Sequence, residues 1–323
     1  MTMKTDVAAL GELLIDFTEN GTSSQGNPVF EANPGGAPCN VLAMLTKLGD
    51  KTAFIGKVGD DMFGHMLSER VAGLGIDTEN LVYDDRVPTT LAFVHKKPDG
   101  DREFSFYRSP GADVCLTPEE LDLDKIRDAK LFHFGTLSMT DPGVRSATEL
   151  AVKTAKEAGL LVSFDPNLRP ALWESLDDAK AAIDWGLRQA DIVKISDEEI
   201  LFMTGAETIP EAIEIFTKIY SIPLAAVTLG PQGSIALYGE LRVFGKPYLN
   251  PDTVETTGAG DTFCANMIHS VLETGLNSFD EQSLKEMLEH ANAAASLITG
   301  RKGALSVMPE PEEIAEFIQR SEN

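Results

Sequence analysis

Short apolar runs alternate with stretches in which apolar residues recur every three or four positions, and this alternation organises most of the chain. Residues 7–10 form an apolar run of strand type, which Gly11-Glu12-Leu13-Leu14-Ile15-Asp16-Phe17 carries on to an acidic side chain. Residues 18–33 are polar and glycine-rich, so they read as a loop or short strand pair. Pro34-Gly35-Gly36-Ala37-Pro38 then opens a helix over 39–48, with Val41, Leu42, Leu45 and Leu48 at helical spacing and Gly49 as its C-terminal stop. A strand at 52–58 and a helix at 63–72 follow. From about residue 82 the character changes: 90–96 and 102–107 are β-rich and are joined by Pro98-Asp99-Gly100, a hairpin signal. No helix flanks this hairpin, so residues of about 85–113, with about 12–34, are expected to form a small β lid inserted in one domain that takes in the whole chain.

From residue 130 the pattern becomes regular. Strands at 131–134, 160–164, 192–195 and 224–229 alternate with helices at 142–158, 176–189, 197–203 and 210–220. Residues 234–238 and 241–244 read as an antiparallel pair turned by Gly239-Glu240, and helices at about 259 onward, 282–298 and 311–319 close the chain. Strand–helix alternation with short turns implies an α/β fold, a doubly wound and mostly parallel sheet with helices on both faces. The 323 residues, 43% of them hydrophobic, are enough for such a core.

Charge narrows the function classes. With 51 acidic against 27 basic residues the net charge is −24, which argues against nucleic acid or an anionic membrane as partner. The excess is larger than solubility requires and motivates the hypothesis of adaptation to a salty cytoplasm. Cys39, Cys115 and Cys264 lack metal-ligand spacing and fit a reducing compartment. No apolar leader and no membrane-length apolar run are visible, so a soluble cytoplasmic protein is the expectation.

In a parallel sheet, ligands bind beyond the carboxyl ends of the strands. Polar clusters fall at several of those ends: Asp16, then Asp165-Pro166-Asn167-Leu168-Arg169, then Ser196–Glu199 in sequence. The most suggestive stretch is Thr256-Thr257-Gly258-Ala259-Gly260-Asp261, followed by an apolar helical pattern. Small residues at a helix mouth leave backbone N–H groups bare for an anion. An aspartate beside an anion site is misplaced unless it takes a proton from whatever attacks that anion. Read alone, the stretch is equally an N-cap with glycines for close packing.

Two regions together are more specific: Gly35-Gly36-Ala37-Pro38-Cys39-Asn40, continuing through Gly49, Gly56, Gly59-Asp60-Asp61 and Gly64, and Thr256–Asp261 in that order. On these the chain resembles the ribokinase-like (PfkB) sugar kinases, most closely the fructokinases, from residue 7 to about 309. The resemblance implies ATP and Mg²⁺ as cofactors and a fructokinase reaction. 2-Keto-3-deoxygluconate, ribose or a nucleoside remain alternative acceptors, and a sugar-sensing regulator on the same scaffold is the non-enzyme alternative. It implies that Asp261 is the catalytic base and that the amides of Gly258, Ala259 and Gly260 form an anion hole. Asp16, Gly35, Gly36 and Asn40 resemble the sugar-binding set. Arg108, in Tyr107–Asp113, resembles an arginine that approaches the substrate, and Asn167 and Arg169 are expected to face the phosphates. Lys194, Thr228, Gly230, Gly233 and Asn292 resemble the nucleotide side, and Glu199 the glutamate that organises Mg²⁺ through water. Four residues depart from the pattern: Ser196 stands for Asn, Glu255 (for Asp) and Val307 (for Ser) leave K⁺ dependence open, and Leu42 is the fourth. Leu42 occupies a usually small position, for which a repacked core is expected. Relatives often pair their lids, which makes a homodimer through the lid the expected assembly.

Overall fold

The computed structural model describes residues 5–96 and 102–321. The first part runs β1 (Thr5–Leu10), β2 (Leu14–Thr22), β3 (Pro28–Gly35), α1 (Ala37–Lys47), β4 (Thr52–Gly59), α2 (Met62–Gly73), β5 (Asp77–Asp84), β6 (Leu91–Lys96) and β7 (Arg102–Tyr107). A short α3 (Leu123–Arg127) precedes β8 (Ala129–Gly135), α4 (Pro142–Glu157), β9 (Leu161–Asp165), α5 (Leu176–Gln189), β10 (Ile192–Ser196) and α6 (Asp197–Thr204). Then come α7 (Ile209–Ile219), β11 (Leu224–Thr228), β12 (Ser234–Tyr238), β13 (Leu241–Gly245), α8 (Ala259–Thr274), α9 (Glu281–Ile298) and α10 (Pro311–Ser321).

Two sheets result. The larger has the order β13-β12-β11-β10-β9-β8-β1-β4-β5, parallel from β11 through β5 with β12 and β13 antiparallel at one edge. Its strands are buried on both faces, and β1 shows why. Val7 and Ala9 point into one apolar cluster, under α1, α2, α8, α9 and α10, while Ala8 and Leu10 point into another, under α4 to α7. Alternation that is apolar on both phases is the mark of a doubly covered parallel sheet. Leu42 is fully buried in the first cluster, where the repacked core is expected. Chain order reverses at β1, between β8 and β4, so the crevice beyond the carboxyl ends of β1 and β8 is where a ligand belongs.

The smaller sheet, β3-β2-β6-β7, is built from β2 and β3 on one side and the β6–β7 pair on the other, with β2 and β6 parallel. Residues 18–33 are thus a strand pair. The turn at Pro98-Asp99-Gly100 lies outside the described residues. β5 and α3 have no counterpart in the sequence expectation. β5 is an edge strand paired with β4 alone, and its polar ends Asp77–Glu79 and Asp84 hide the apolar centre from a pattern search. Among the described residues no helix is long and apolar enough to cross a membrane.

Candidate active site

Asp261 lies in the first turn of α8, and the geometry of that turn comes from Gly258. Its φ of 79° is left-handed, and a Cβ there would stand 2.7 Å from Ala304 Cβ. Glycine is the residue that accepts both constraints. No side chain caps α8, so its first turn is left facing a cavity of about 450 Å³. That cavity is lined by loops from the carboxyl ends of β1, β8, β9, β10 and β11 and closed from above by Leu14 and Asp16 of β2 and Phe106 of β7.

The cavity brings together Asp16, Gly36, Asn40, Asn167, Arg169, Lys194, Glu199, Thr228, Gly230, Gly258, Gly260 and Asp261. Gly35 stands behind them; a Cβ on it would meet Asp16 Oδ2 at 2.3 Å. Asn40 Nδ2 donates to Asp261 Oδ2 at 2.8 Å and fixes the orientation of that carboxylate. Asn40 Oδ1 is buried without a hydrogen-bond partner and is free to accept a ligand hydroxyl. Burial raises the Asp261 pKa, and Asn40, Lys194 and Arg169 oppose the rise. Asp16 is pushed up to about 7, chiefly by burial, with Arg169 opposing and Glu255 and Asp261 adding to the rise. Lys194 is buried and 3.2 Å from Asp165; the acidic groups Asp165, Glu199 and Asp261 outweigh burial and hold its ammonium charged. Its Nζ lies 3.0 Å from where a Cβ on Gly260 would stand, so a positive charge backs the mouth of α8.

A second cavity, of about 430 Å³, adjoins the first and shares Thr228, Gly230, Thr256 and Gly260 with it. Gly233, Ala259 and Asn292 are here, among Pro231, Pro247, Tyr248, Leu249 and Phe263. Asn292 Nδ2 donates to Ser234 Oγ at 2.9 Å and to the Lys246 carbonyl at 3.2 Å. One polar and anion-friendly chamber joined to one apolar chamber suits a ligand with a charged chain and a flat ring.

Several expectations change in detail. Arg108 does not line the cavity: it pairs with Asp113 at 2.6 Å and donates to Thr140 Oγ1 and the Leu137 carbonyl, because these acceptors surround a buried guanidinium. The Ala259 amide donates to the Thr256 carbonyl at 3.2 Å and closes the turn before α8, so Gly258 and Gly260 are the members of the expected anion hole at the first cavity. Glu199 accepts the Leu168 and Ser196 amides, each at 2.8 Å, in a capping box with Ser196 that starts α6. Ser196 therefore works as an N-cap in place of the expected Asn. Glu255 is buried and accepts the Gly303 amide at 2.9 Å. Glu12, which no motif marks, is buried, lines both the main cavity and a small one behind Asp261, and accepts the Ala37 amide at 2.7 Å. Its only sequence signal was a carboxylate inside an otherwise apolar strand end.

Among the described residues no group of three or more His, Cys, Asp or Glu side chains could cage a metal. Asp197 and Glu199 both line the main cavity. One or two carboxylates beside a phosphate chain, with water completing the shell, is the usual protein contribution to a Mg²⁺ site, and these residues fit it.

Comparison with known proteins gives a consistent result. A family model described as pfkB family carbohydrate kinase matches residues 4–311. Fructokinase-2 of Solanum lycopersicum is 41% identical over 313 residues, covering 95% of this chain and 94% of that protein. Probable fructokinase-4 of Arabidopsis thaliana is 40% identical over 318 residues, covering 98% and 97%. Among solved structures, a fructokinase from Xylella fastidiosa with bound ATP has a TM-score of 0.90 at 30% identity, covering 99% of this chain and 100% of that one. A fructokinase from Vibrio cholerae O395 with fructose, ADP and calcium ion bound has a TM-score of 0.87 at 27% identity, covering 98% and 99%.

Proposed function

The chain belongs to the pfkB family of carbohydrate kinases, and on that premise we propose that it transfers the γ-phosphoryl group of ATP to fructose, giving fructose 6-phosphate and ADP. The observation that carries the proposal is the Asn40–Asp261 pair set at the uncapped mouth of α8, between a polar and an apolar chamber. Phosphoryl transfer asks a protein mainly for positioning and for charge stabilisation, with little covalent chemistry. Asp261, held by Asn40, accepts the proton of the attacking sugar hydroxyl as the oxygen bonds to phosphorus. Gly258, Gly260 and the positive end of α8 face the charge that develops on the transferred group, with Lys194 behind them. The second cavity takes the base and ribose, with Asn292 and Gly233 in its wall. Asp197 and Glu199 would hold Mg²⁺ through water, and the ion would supply neutralisation of phosphate charge.

A neutral sugar fits better than a sugar acid. The described residues at the sugar end supply Glu12, Asp16 and Asp261 against Arg169, while Lys194 is paired with Asp165. A regulator without activity would have no use for an oriented base beside an anion site. Asp16 and the smaller sheet act as a lid on the sugar, which excludes water as a competing acceptor. A second copy of the chain covers the outer face of that lid. There Phe17, Phe30, Phe93 and Tyr107 pack on one another, yet Phe30 is 42% and Tyr107 67% exposed. β3 and β7 are unpaired edges of the same sheet.

The deciding experiment is a coupled ADP-release assay over fructose, ribose, a nucleoside and 2-keto-3-deoxygluconate, with and without K⁺. Fructose is expected to give the highest kcat/KM. A higher value for any other acceptor overturns the fructose assignment, and no ADP release with any of them overturns the kinase reading. The K⁺ arm is needed because Glu255, at the position that shapes a cation site in some relatives, gives one oxygen to Gly303.

A further inference from the structure

Glu12 has no part in the reaction described above, yet it is the most deeply buried carboxylate among those lining the main cavity, at 4% exposure. Its position is dictated by its neighbours. Gly36 is the N-cap of α1, with φ 131°, and no side chain of its own can cap the helix. A Cβ on Gly36 would meet the Glu12 carbonyl oxygen at 2.3 Å, so the two backbones are in direct contact. Glu12 Oε1 then accepts the Ala37 amide at 2.7 Å, from 25 residues earlier in the chain. Glu12 thus supplies, from a distant point of the same chain, the acceptor that an N-cap side chain ordinarily provides.

The next turn of α1 carries Asn40, whose amide N–H donates to the Gly36 carbonyl at 3.0 Å and whose Nδ2 holds Asp261 Oδ2. Asn40 Oδ1 has no partner, so Asp261 and the helix that bears Asn40 set where this side chain lies. We propose that Glu12 is a positioning residue for phosphoryl transfer: by capping α1 across the chain it sets Asn40, and through Asn40 it aims the carboxylate of Asp261. The inference rests on the kinase reading given above. It also gives Arg108 a place. Burial raises the Glu12 pKa, the Ala37 amide opposes that rise, and the charge of Arg108, itself paired with Asp113, opposes it further.

A sugar contact would raise KM, a general loss of folding would weaken both substrates, and a positioning role lowers kcat. Glu12→Ala is expected to reduce kcat roughly 10- to 100-fold, the range expected of a misplaced reacting group. KM for ATP and for the sugar should stay within about threefold of wild type. Glu12→Gln keeps an acceptor for the Ala37 amide and should restore kcat to within about threefold of wild type. In a double-mutant cycle on kcat, Glu12→Ala should cost less than about threefold once Asn40→Ala is present, because both act on one carboxylate. Multiplicative losses, an equal defect in Glu12→Gln and Glu12→Ala, or a loss confined to sugar KM would each overturn the proposal. If Glu12→Ala does not fold, Glu12→Asp takes its place, since it keeps the charge but is one methylene short of the amide. Absence of ADP release by the wild-type protein on every acceptor would instead overturn the kinase reading, and this inference with it.

Discussion

Burial lifts the Asp261 pKa while Asn40, Lys194 and Arg169 pull it back, so the carboxylate is a stronger base than an exposed one. General bases contribute typically 10²–10⁴ in rate. Asp261→Asn should therefore lose roughly 10²–10⁴ in kcat while its thermal midpoint stays near the wild-type value; near-normal turnover would reject Asp261 as the base. The sign of the pH dependence follows from the same burial. Asp16 has its pKa near 7 and Asp261 above its ordinary value, and a base or a hydroxyl acceptor works ionised. kcat/KM for the sugar should rise with pH and level off above about 7, and a profile flat between pH 5 and 8 would contradict it. Because the folded-state pKa of Asp16 exceeds its unfolded value, folding stability falls as pH rises from about 4 to about 7, and ionised Asp16 is a net cost to the fold above that window. Catalysis and stability thus ask for opposite states of one carboxylate.

At the level of elements, a buried lysine ties segments at strand ends together. Lys57 of β4 is buried between Asp84 of β5, at 2.9 Å, and Glu120, at 2.7 Å, and also donates to the Cys115 carbonyl. This joins the edge of the large sheet to the segment that leads from β7 into α3. Lys57, with the amides of Arg86 and Val87, depresses the Asp84 pKa to about 2. A depressed pKa stabilises the fold above the unfolded value and loses that contribution as pH falls. Asp84 should accordingly contribute fully above about pH 4 and progressively less toward pH 2. Asp84→Ala leaves Lys57 with Glu120 as its one anionic partner in that cluster and should cost about 3 kcal/mol in chemical denaturation at pH 7. A change below about 0.5 kcal/mol, the ordinary scatter of surface substitutions, would show that Glu120 suffices. α8 shows a different kind of dependence. Its mouth is usable because a left-handed glycine starts it and no side chain fills it.

The molecule as a whole carries a net charge of −24, and like charges at this density repel the folded state more than the expanded one. Added salt screens that repulsion, with a Debye length of about 10 Å at 0.1 M and about 3 Å at 1 M. The thermal midpoint should climb with KCl up to molar concentrations, and indifference to salt would sink the idea of adaptation to a salty cell. Salt bears on assembly as well, since two copies of this acidic chain must approach each other. Sedimentation in 0.5–1 M KCl, roughly the range where screening is within a few ångströms, should give a dimer that Tyr107→Glu dissociates. A monomer across concentrations would reject pairing through the aromatic face of the smaller sheet.

Much of this was legible in the chain. Apolar runs of strand length between helical patterns dictate a doubly covered parallel sheet, because no other arrangement buries both phases of strands such as β1. The order of Gly35–Asn40 and Thr256–Asp261 points to the family, and an aspartate beside an anion-binding helix mouth marks Asp261 from sequence alone. Other features depend on neighbours that sequence cannot supply. β5 exists as a strand because β4 offers it an edge, although its own ends are polar. Arg108 reads as a ligand contact until Asp113, Thr140 and Leu137 enclose it. Ala259 sits inside the motif, yet its amide is taken by Thr256. Glu12 looked like an interruption in a strand end and becomes a cap only when α1 arrives beside it. Sequence by itself determined which family the motifs match and what layers the chain folds into, since both follow from local pattern. Tertiary structure decided which polar atoms remain unsatisfied and face the cavity, since an orphan donor or acceptor is defined by everything packed around it.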